Sequence, residues 1–326
     1  MDTLRTLQEA IVYFSDKDRA FAYAVNFRWP NGLVSCPRCG SEKHSFIKTR
    51  RIWMCYGCNK QFSLKVGTIF EDSPITLDKW MMVMWMLGNC KNGISSYEVS
   101  RSIGVTQRSA WFMLHRIREA MKEMPSKMGS PEGGEVEVDE AYVGAKVKNM
   151  HYKRKLKIEN ELSKVAAWKQ TTQYAGKTAI MGMYDRTSRE VRAKVVPNTR
   201  RETLQREILN GIHHGSRIYS DQAVAYDSLR ANYIHETVNH SDAYVRGQVH
   251  TNCLENFWSL TKRTLAGTYV AVEPFHLDRY LDEGMFRFNT SKTKTDSQRF
   301  NKLLSQVAGR RLTYANLTGT GSATSH

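Results

Sequence analysis

The sequence predicts an α/β protein, a mixed sheet with flanking helices, preceded by two small modules. Three observations carry this. Between residues 131 and 290 the hydrophobic period switches from strand-like to helix-like, giving three strands, then helix, strand, helix, strand and helix. Upstream, two CxxC pairs frame a short strand-like stretch. Between these regions, Ser95 to Ile117 reads as two helices around a glycine turn.

The composition is that of a globular chain with an ionic bias. Of 326 residues, 41% are hydrophobic, so a sizeable core can form. Lys and Arg outnumber Asp and Glu 48 to 32, a net charge of +16, which points to a polyanionic partner such as nucleic acid. The opening Met1-Asp2-Thr3-Leu4-Arg5 does not read as a signal peptide. The longest apolar run, Trp80 to Leu87, is too short to span a bilayer. A cytoplasmic protein with no membrane partner is therefore expected. Six cysteines in such a compartment suggest metal or catalysis before disulfides.

The first module covers residues 1–70. Leu4, Leu7, Ile11 and Phe14 recur at helical spacing, and Ser15 or Asp16 opens a second helix through Val25. Arg28-Trp29-Pro30-Asn31-Gly32 ends it. Cys36-Pro37-Arg38-Cys39 is followed after fifteen residues by Cys55-Tyr56-Gly57-Cys58, the spacing of a closed, structural Zn²⁺ site. Gly40 and Gly57 ease the two knuckles, and Ser45 to Met54 reads as a hairpin turning at Lys48-Thr49-Arg50-Arg51. The cations Arg38, Lys43, Lys48, Arg50, Arg51, Lys60 and Lys65 face only Glu42 in opposition. A ribbon that grips DNA backbone and a ribbon that only nucleates the fold both fit.

The second module, residues 71–125, is helical. Thr76 starts a helix whose Trp80 to Leu87 run is apolar all round and should be buried. Ser95 to Ile103, Gly104, and Gln107 to Ile117 with Thr106 as cap make a helix-turn-helix pattern, also compatible with a plain helical hairpin. In the DNA-binding reading, Gln107, Arg108 and Ser109 begin the recognition helix. A Pro, Gly and Ser-rich linker follows, from Met124 to Gly134.

Residues 131–290 hold the acids. Glu135 to Val143 alternates apolar and acidic residues and closes on Gly144, a strand with an unusual charge load. Residues 146–177 carry nine Lys or Arg against two Glu, either a phosphate-contacting insertion or a plain solvated loop. Thr178 to Asp185 and Glu190 to Val196 are strands two and three, and Thr199 caps a helix to about Leu209. Ser216 to Asp221 is strand four, Ala223 to Leu229 a short helix, Tyr233 to Asn239 strand five. Asn252 or Thr251 begins a long helix. This is the element order of a ribonuclease-H-like mixed sheet. In that fold strands one and four are neighbours, so Asp139 and Asp221 would meet, and the following helix could add Glu255. Eighty-one residues separate the two aspartates and thirty-three separate Asp221 from Glu255.

Together these pieces resemble the DDE transposases of bacterial insertion sequences that carry an N-terminal zinc ribbon. The matching stretches are Arg28-Trp29-Pro30-Asn31-Gly32, both CxxC pairs, Gly67-Thr68-Ile69-Phe70, Val138 to Gly144, Ser220-Asp221 and His250-Thr251-Asn252-Cys253-Leu254-Glu255-Asn256-Phe257-Trp258. The resemblance spans about residues 20–290. It implies that Asp139, Asp221 and Glu255 hold Mg²⁺ or Mn²⁺, and that Lys262, seven residues after Glu255, contacts DNA. It implies double-stranded DNA as partner, the element's ends and a target, a homo-oligomer acting on paired ends, and a place at the bacterial nucleoid.

The chemistry is consistent with those residue types. In-line displacement at phosphorus is assisted by two divalent ions, and hard cations take carboxylate oxygens. Lys262 lies two helical turns beyond Glu255, on the same face. Glu255 also stands three residues after Asn252, where a capping-box acid would sit. Glu135 and Glu137 read most simply as acids at the start of the strand, Glu140 points away from Asp139, and Asp185, Asp227 and Asp242 read as turn or surface acids. His250 either positions DNA or water or is a satisfied structural histidine. A catalytically silent DNA-binding regulator, or a nuclease that cuts without joining, would keep the same modules. After Pro274 a helix with Leu277, Tyr280, Leu281, Met285 and Phe288 on one face should pack on the sheet. Residues 291–326 are expected to form one more helix, capped by Asp296, and from Thr313 a disordered tail.

Overall fold

The computed structural model describes residues 4–123, 126–144, 152–153, 155–156, 160, 176–221, 232–238 and 250–319. Most of the basic stretch 146–177, the expected helix at 223–229, Asp227, Asp242, the side chain of Asp221 and the last seven residues lie outside the described part. The chain divides into two compact units. One comprises residues 1–123, 267–270 and 282–326, the other residues 124–266 and 271–281.

The first unit opens with α1 (Leu7–Ser15) and α2 (Lys17–Arg28). Thr6 and Glu9 form a capping box on α1, and Asp16 caps α2 by accepting the amides of Asp18 and Arg19. Strands β1 (His44–Ile47), β2 (Ile52–Cys55) and β3 (Gln61–Ser63) form a three-stranded antiparallel sheet in that order. Phe21, Trp29, Phe46 and Phe62 gather around the Trp53 ring, with centroids 5.0–5.8 Å away. That aromatic cluster seats α2 on the ribbon. Arg28 explains its own place before Trp29: it donates to the Leu64 and Val66 carbonyls and lies 4.8 Å over the Trp29 ring. Burial brings its pKa down to about 10.

Helix α3 (Leu77–Asn89) buries Trp80, Met81, Val83, Met84, Trp85 and Leu87, as its unbroken apolar surface predicts. Helix α4 (Ser96–Ile103) ends at Gly104 in the left-handed conformation (φ 62°), and α5 (Gln107–Met121) follows with Thr106 as cap. A second contribution comes from the C-terminal segment. Residues 282–326 belong to this unit, and Phe286, Phe300, Leu303 and Leu304 complete its core. Within it, a buried ion network joins Arg118 and Arg287 to Glu283, which is fully buried and also accepts the Tyr269 hydroxyl at 2.5 Å. Gly93 (φ 75°) passes so close to Tyr269 and Glu283 that a Cβ there would overlap both.

The second unit is a five-stranded mixed sheet. Its strands are β4 (Glu135–Val143), β5 (Thr178–Asp185), β6 (Glu190–Val195), β7 (Arg217–Asp221) and β8 (Ile234–Val238), in the order β6-β5-β4-β7-β8. β5 is antiparallel to β4 and β6, whereas β7 is parallel to β4 and β8. Asp185 Oδ1 accepts the amides of Thr187 and Ser188 and so builds the β5–β6 turn, the role expected of it. One face of the sheet, with Val136, Val138, Met181, Met183 and Ile218, packs on Leu204 and Ile208 of α6 (Arg201–Gly211). The opposite face receives α7 (Asn252–Thr264), whose Leu254, Phe257 and Trp258 are buried.

Several ends differ from the sequence expectation. Helix α6 begins after Arg200, not Thr199, because Asn198 Oδ1 accepts the Arg200 amide and the Thr203 hydroxyl. Pro274 heads a short 3₁₀ turn, and α8 (Leu277–Ser291) follows. Only its start, through Leu281, belongs to the sheet unit, and Phe286 packs in the other core. Thr295 with Gln298, not Asp296, caps α9 (Asp296–Ser305). The polar run after Thr313 is not wholly irregular: α10 (Tyr314–Thr318) forms there, anchored by the fully buried Leu317.

Candidate metal centres and nucleic-acid surfaces

The four cysteine sulfurs converge. All lie within 4.8 Å of one another, with Cys36 to Cys58 at 3.8 Å and Cys39 to Cys55 at 3.5 Å. A tetrahedron of sulfurs about 2.3 Å from a central zinc has edges of about 3.8 Å, so the cluster fits structural zinc. The two knuckles repeat one backbone pattern. Cys36 N–H donates to Ser41 O and Cys55 N–H to Lys60 O, and the residue after each second cysteine, Gly40 or Asn59, is left-handed. Gly57 is required by packing, because a Cβ would come 2.7 Å from Ser41 Cβ in the facing knuckle. Donation from the Cys58 amide outweighs burial and lowers the Cys55 thiol to about 6.

The acids of the second unit are positioned by the sheet register. On β4 the pairs with β7 are Glu135 with Arg217, Val136 with Ile218 and Glu137 with Tyr219. The pairing ends there, two residues before Asp139 on β4 and two before Asp221, the last residue of β7. Asp139 is half-buried, and its Oδ2 accepts the Trp258 indole N–H at 2.9 Å. Glu255 is exposed in the first turn of α7, and Lys262 is exposed in its last turn. Gly182 lies directly across from Asp139 on β5, and a Cβ there would come 2.5 Å from the Trp258 ring. The glycine is what lets α7 lie this close to the strand.

Glu137, read from the sequence as an acid at the start of the strand, does more than that. It is fully buried, its Oε1 accepts Arg186 Nε at 2.8 Å, and its Oε2 accepts the amides of Cys253 (3.1 Å) and Leu254 (3.3 Å). It therefore supplies the cap that α7 lacks locally, since Thr251 makes no side-chain cap bond. The capping-box reading of Glu255 fails for the same reason. The helix starts at Asn252, and its first amides are already taken by Glu137. Arg186 also donates to His250 O at 2.7 Å and to His250 Nδ1 at 3.0 Å, which holds that imidazole as the Nε2–H tautomer. His250 is thereby tied through its carbonyl and Nδ1 to the β5–β6 turn. Glu137 and Arg186 escaped the sequence reading because their partners lie far along the chain.

The residues expected to begin a recognition helix are partly engaged. Gln107 Nε2 donates to Ser96 Oγ at 2.8 Å, and the Ser109 amide donates to Thr106 Oγ1 at 3.2 Å. Arg108 is exposed, with its guanidinium 4.7 Å over the Tyr314 ring. No described helix is long and apolar enough to cross a membrane.

Comparison with known proteins finds matches to two domains. Residues 132–289 match the ISXO2-like transposase domain, and residues 15–61 match the transposase zinc-ribbon domain. A protein of the transposable element ISH50 from Halobacterium salinarum is 27% identical over 263 residues, which cover 78% of this chain and 84% of that protein. Among solved structures, the simian T-cell lymphotropic virus intasome in complex with PP2A regulatory subunit B56 gamma is similar at a TM-score of 0.28 and 13% identity. That match covers 63% of this chain and 67% of the other, and a likeness so distant carries no argument.

Proposed function

Because the chain belongs to the insertion-sequence DDE transposases with an N-terminal zinc ribbon, we propose that it binds the ends of its element and performs metal-dependent strand cleavage and transfer. The observation that carries this is the parallel pairing of β4 with β7 up to two residues before Asp139 and Asp221, together with the Trp258 indole of the Glu255-bearing helix donating to Asp139. The strand order, three antiparallel strands followed by two parallel ones, supports a ribonuclease-H-like core.

In this reading Asp139, Asp221 and Glu255 hold two Mg²⁺ or Mn²⁺ ions. The donor set suits them, since it offers only carboxylate oxygens. When bound, these ions stabilise the attacking and leaving oxygens of an in-line displacement at phosphorus. Trp258 fixes the orientation of the Asp139 carboxylate. Lys262, exposed two turns beyond Glu255, neutralises a phosphate of the bound strand. Helices α4 and α5 act as a helix-turn-helix, and Arg108, with Gln107 and Ser109 beside it, meets the end sequence. A net charge of +16 supplies sequence-independent affinity for double-stranded DNA. The functional assembly is a homo-oligomer that pairs two ends.

The experiment is a cleavage and joining assay with labelled end fragments, target DNA and Mg²⁺. Nicked ends and joined target products are expected, and both should vanish with Asp139→Ala, Asp221→Ala or Glu255→Ala. Full activity in those variants sinks the proposal. Nicking without joining leaves a nuclease, and binding without nicking leaves a silent DNA-binding regulator.

A further inference from the structure

Arg186 touches all three segments that carry the acids. Its Nε donates to Glu137, two residues before Asp139 on β4. Its guanidinium lies 4.2 Å over the ring of Tyr219, two residues before Asp221 on β7. Its Nη2 donates to the carbonyl and Nδ1 of His250, at the approach to α7. Tyr219 in turn donates to Glu135 Oε1 at 3.0 Å, which ties β7 to β4 once more. The arginine is a β5–β6 turn residue, so the group that joins these segments comes from none of them.

The grip on α7 is double. Glu137 Oε2 accepts the Cys253 and Leu254 amides immediately before Glu255, and Trp258 Nε1 donates to Asp139 Oδ2 one turn after it. Glu255 is bracketed by two bonds to the strand that bears Asp139. Among the described helices, six take a side-chain cap from their own N-cap residue, Thr6, Asp16, Ser95, Thr106, Thr295 and Thr313, whereas α3 and α6 have none. Helix α7 takes its cap from a residue 116 positions away. A helix that needed only stability could be capped locally. A remote, buried, charged cap fixes where the helix stands relative to one strand.

We propose that Arg186, Glu137 and Trp258 are the positioning residues of the acidic centre: they set Asp139, Asp221 and Glu255 at the separation that divalent ions require, without touching DNA or metal. The inference rests on the reading of those three acids as metal holders. Arg186 and Glu137 set the elements, and Trp258 sets the Asp139 carboxylate. Groups that orient metal-bearing carboxylates typically change metal affinity by about 10–100-fold when replaced.

The test is Mn²⁺ binding to the zinc-replete, full-length protein without DNA, read by electron paramagnetic resonance of the free ion. Trp258→Phe removes the donor together with the outer ring atoms that lie against Gly182. Arg186→Lys keeps the charge and removes the fork that reaches several partners. Each is expected to weaken Mn²⁺ binding about tenfold, with circular dichroism, and end-DNA binding without added divalent ion, unchanged. If Arg186→Lys fails to fold, Trp258→Phe decides alone. Wild-type Mn²⁺ affinity in folded Trp258→Phe, alongside loss of binding in Asp139→Asn and Glu255→Gln, overturns the positioning role and leaves the metal reading standing. Wild-type affinity in Asp139→Asn and Glu255→Gln overturns the metal reading, and the positioning role with it.

Discussion

The indole N–H of Trp258 lies 2.9 Å from Asp139 Oδ2, and the same ring fills the space that a side chain at residue 182 would need. One side chain therefore orients a carboxylate and sets how closely α7 approaches the sheet. The first consequence concerns Gly182. Gly182→Ala places a Cβ 2.5–2.7 Å from the indole, so the helix or the ring must move. Overpacking of this kind costs about 1–3 kcal/mol. We expect thermal unfolding to register that loss, and Mg²⁺-dependent cleavage to fall further than stability alone explains. An alanine variant with wild-type stability and cleavage would show that this contact is not needed.

The zinc ribbon makes a separate prediction. Metal analysis should find one zinc per chain, held by Cys36, Cys39, Cys55 and Cys58. Removal by a strong chelator, or Cys39→Ser, should unfold the ribbon and expose the aromatic cluster around Trp53, seen as a red shift in tryptophan emission. Four freely titrating thiols at these positions in native, fully folded protein would exclude the site.

The buried Glu283 gives the first unit a pH dependence. Burial pushes its carboxyl pKa up, but the Arg287 and Arg118 charges outweigh that and leave it below its ordinary 4.5. A depressed carboxylate stabilises the fold above its unfolded value, and that contribution is lost as pH falls through the lower folded value. Unfolding measured against pH should therefore show a loss below about 4.5 that Glu283→Gln removes. That variant strands two arginines, a break that costs about 3–5 kcal/mol at neutral pH. An unchanged acid limb in Glu283→Gln would rule out this origin.

Lys262 and Arg108 should separate in their salt dependence. A phosphate contact contributes a slope of about −0.9 in log affinity against log salt. Lys262→Ala should reduce the slope by about one unit for every DNA sequence. Arg108→Ala should weaken binding to the element's end more than to random DNA. Equal losses on both DNAs for Arg108→Ala would remove it from sequence recognition.

Much of this was legible in the chain. The CxxC spacing announced the ribbon because metal geometry demands it locally, and Glu135–Val143 emerged as a strand with the bounds its alternation suggested. β4 and β7 pair in parallel, and the pairing runs to two residues before Asp139 and Asp221. What stayed hidden depends on distant partners. Glu137 looked like one more acid in an acidic strand, and its burial becomes visible only when Cys253 and Leu254 fold back onto it. The role of Trp258 stayed hidden because periodicity cannot tell an indole that only packs from one that also donates. Nothing in the strand Thr178 to Asp185 marks why residue 182 is glycine, since the ring that fills its side-chain space comes from a distant helix.

The most direct measurement is a crystal structure with Mn²⁺, its anomalous signal locating the ions. The account expects Mn²⁺ bridged by carboxylate oxygens of Asp139, Asp221 and Glu255, with Trp258 still donating to Asp139. An ion bound elsewhere, or three carboxylates too far apart to share one, would contradict it.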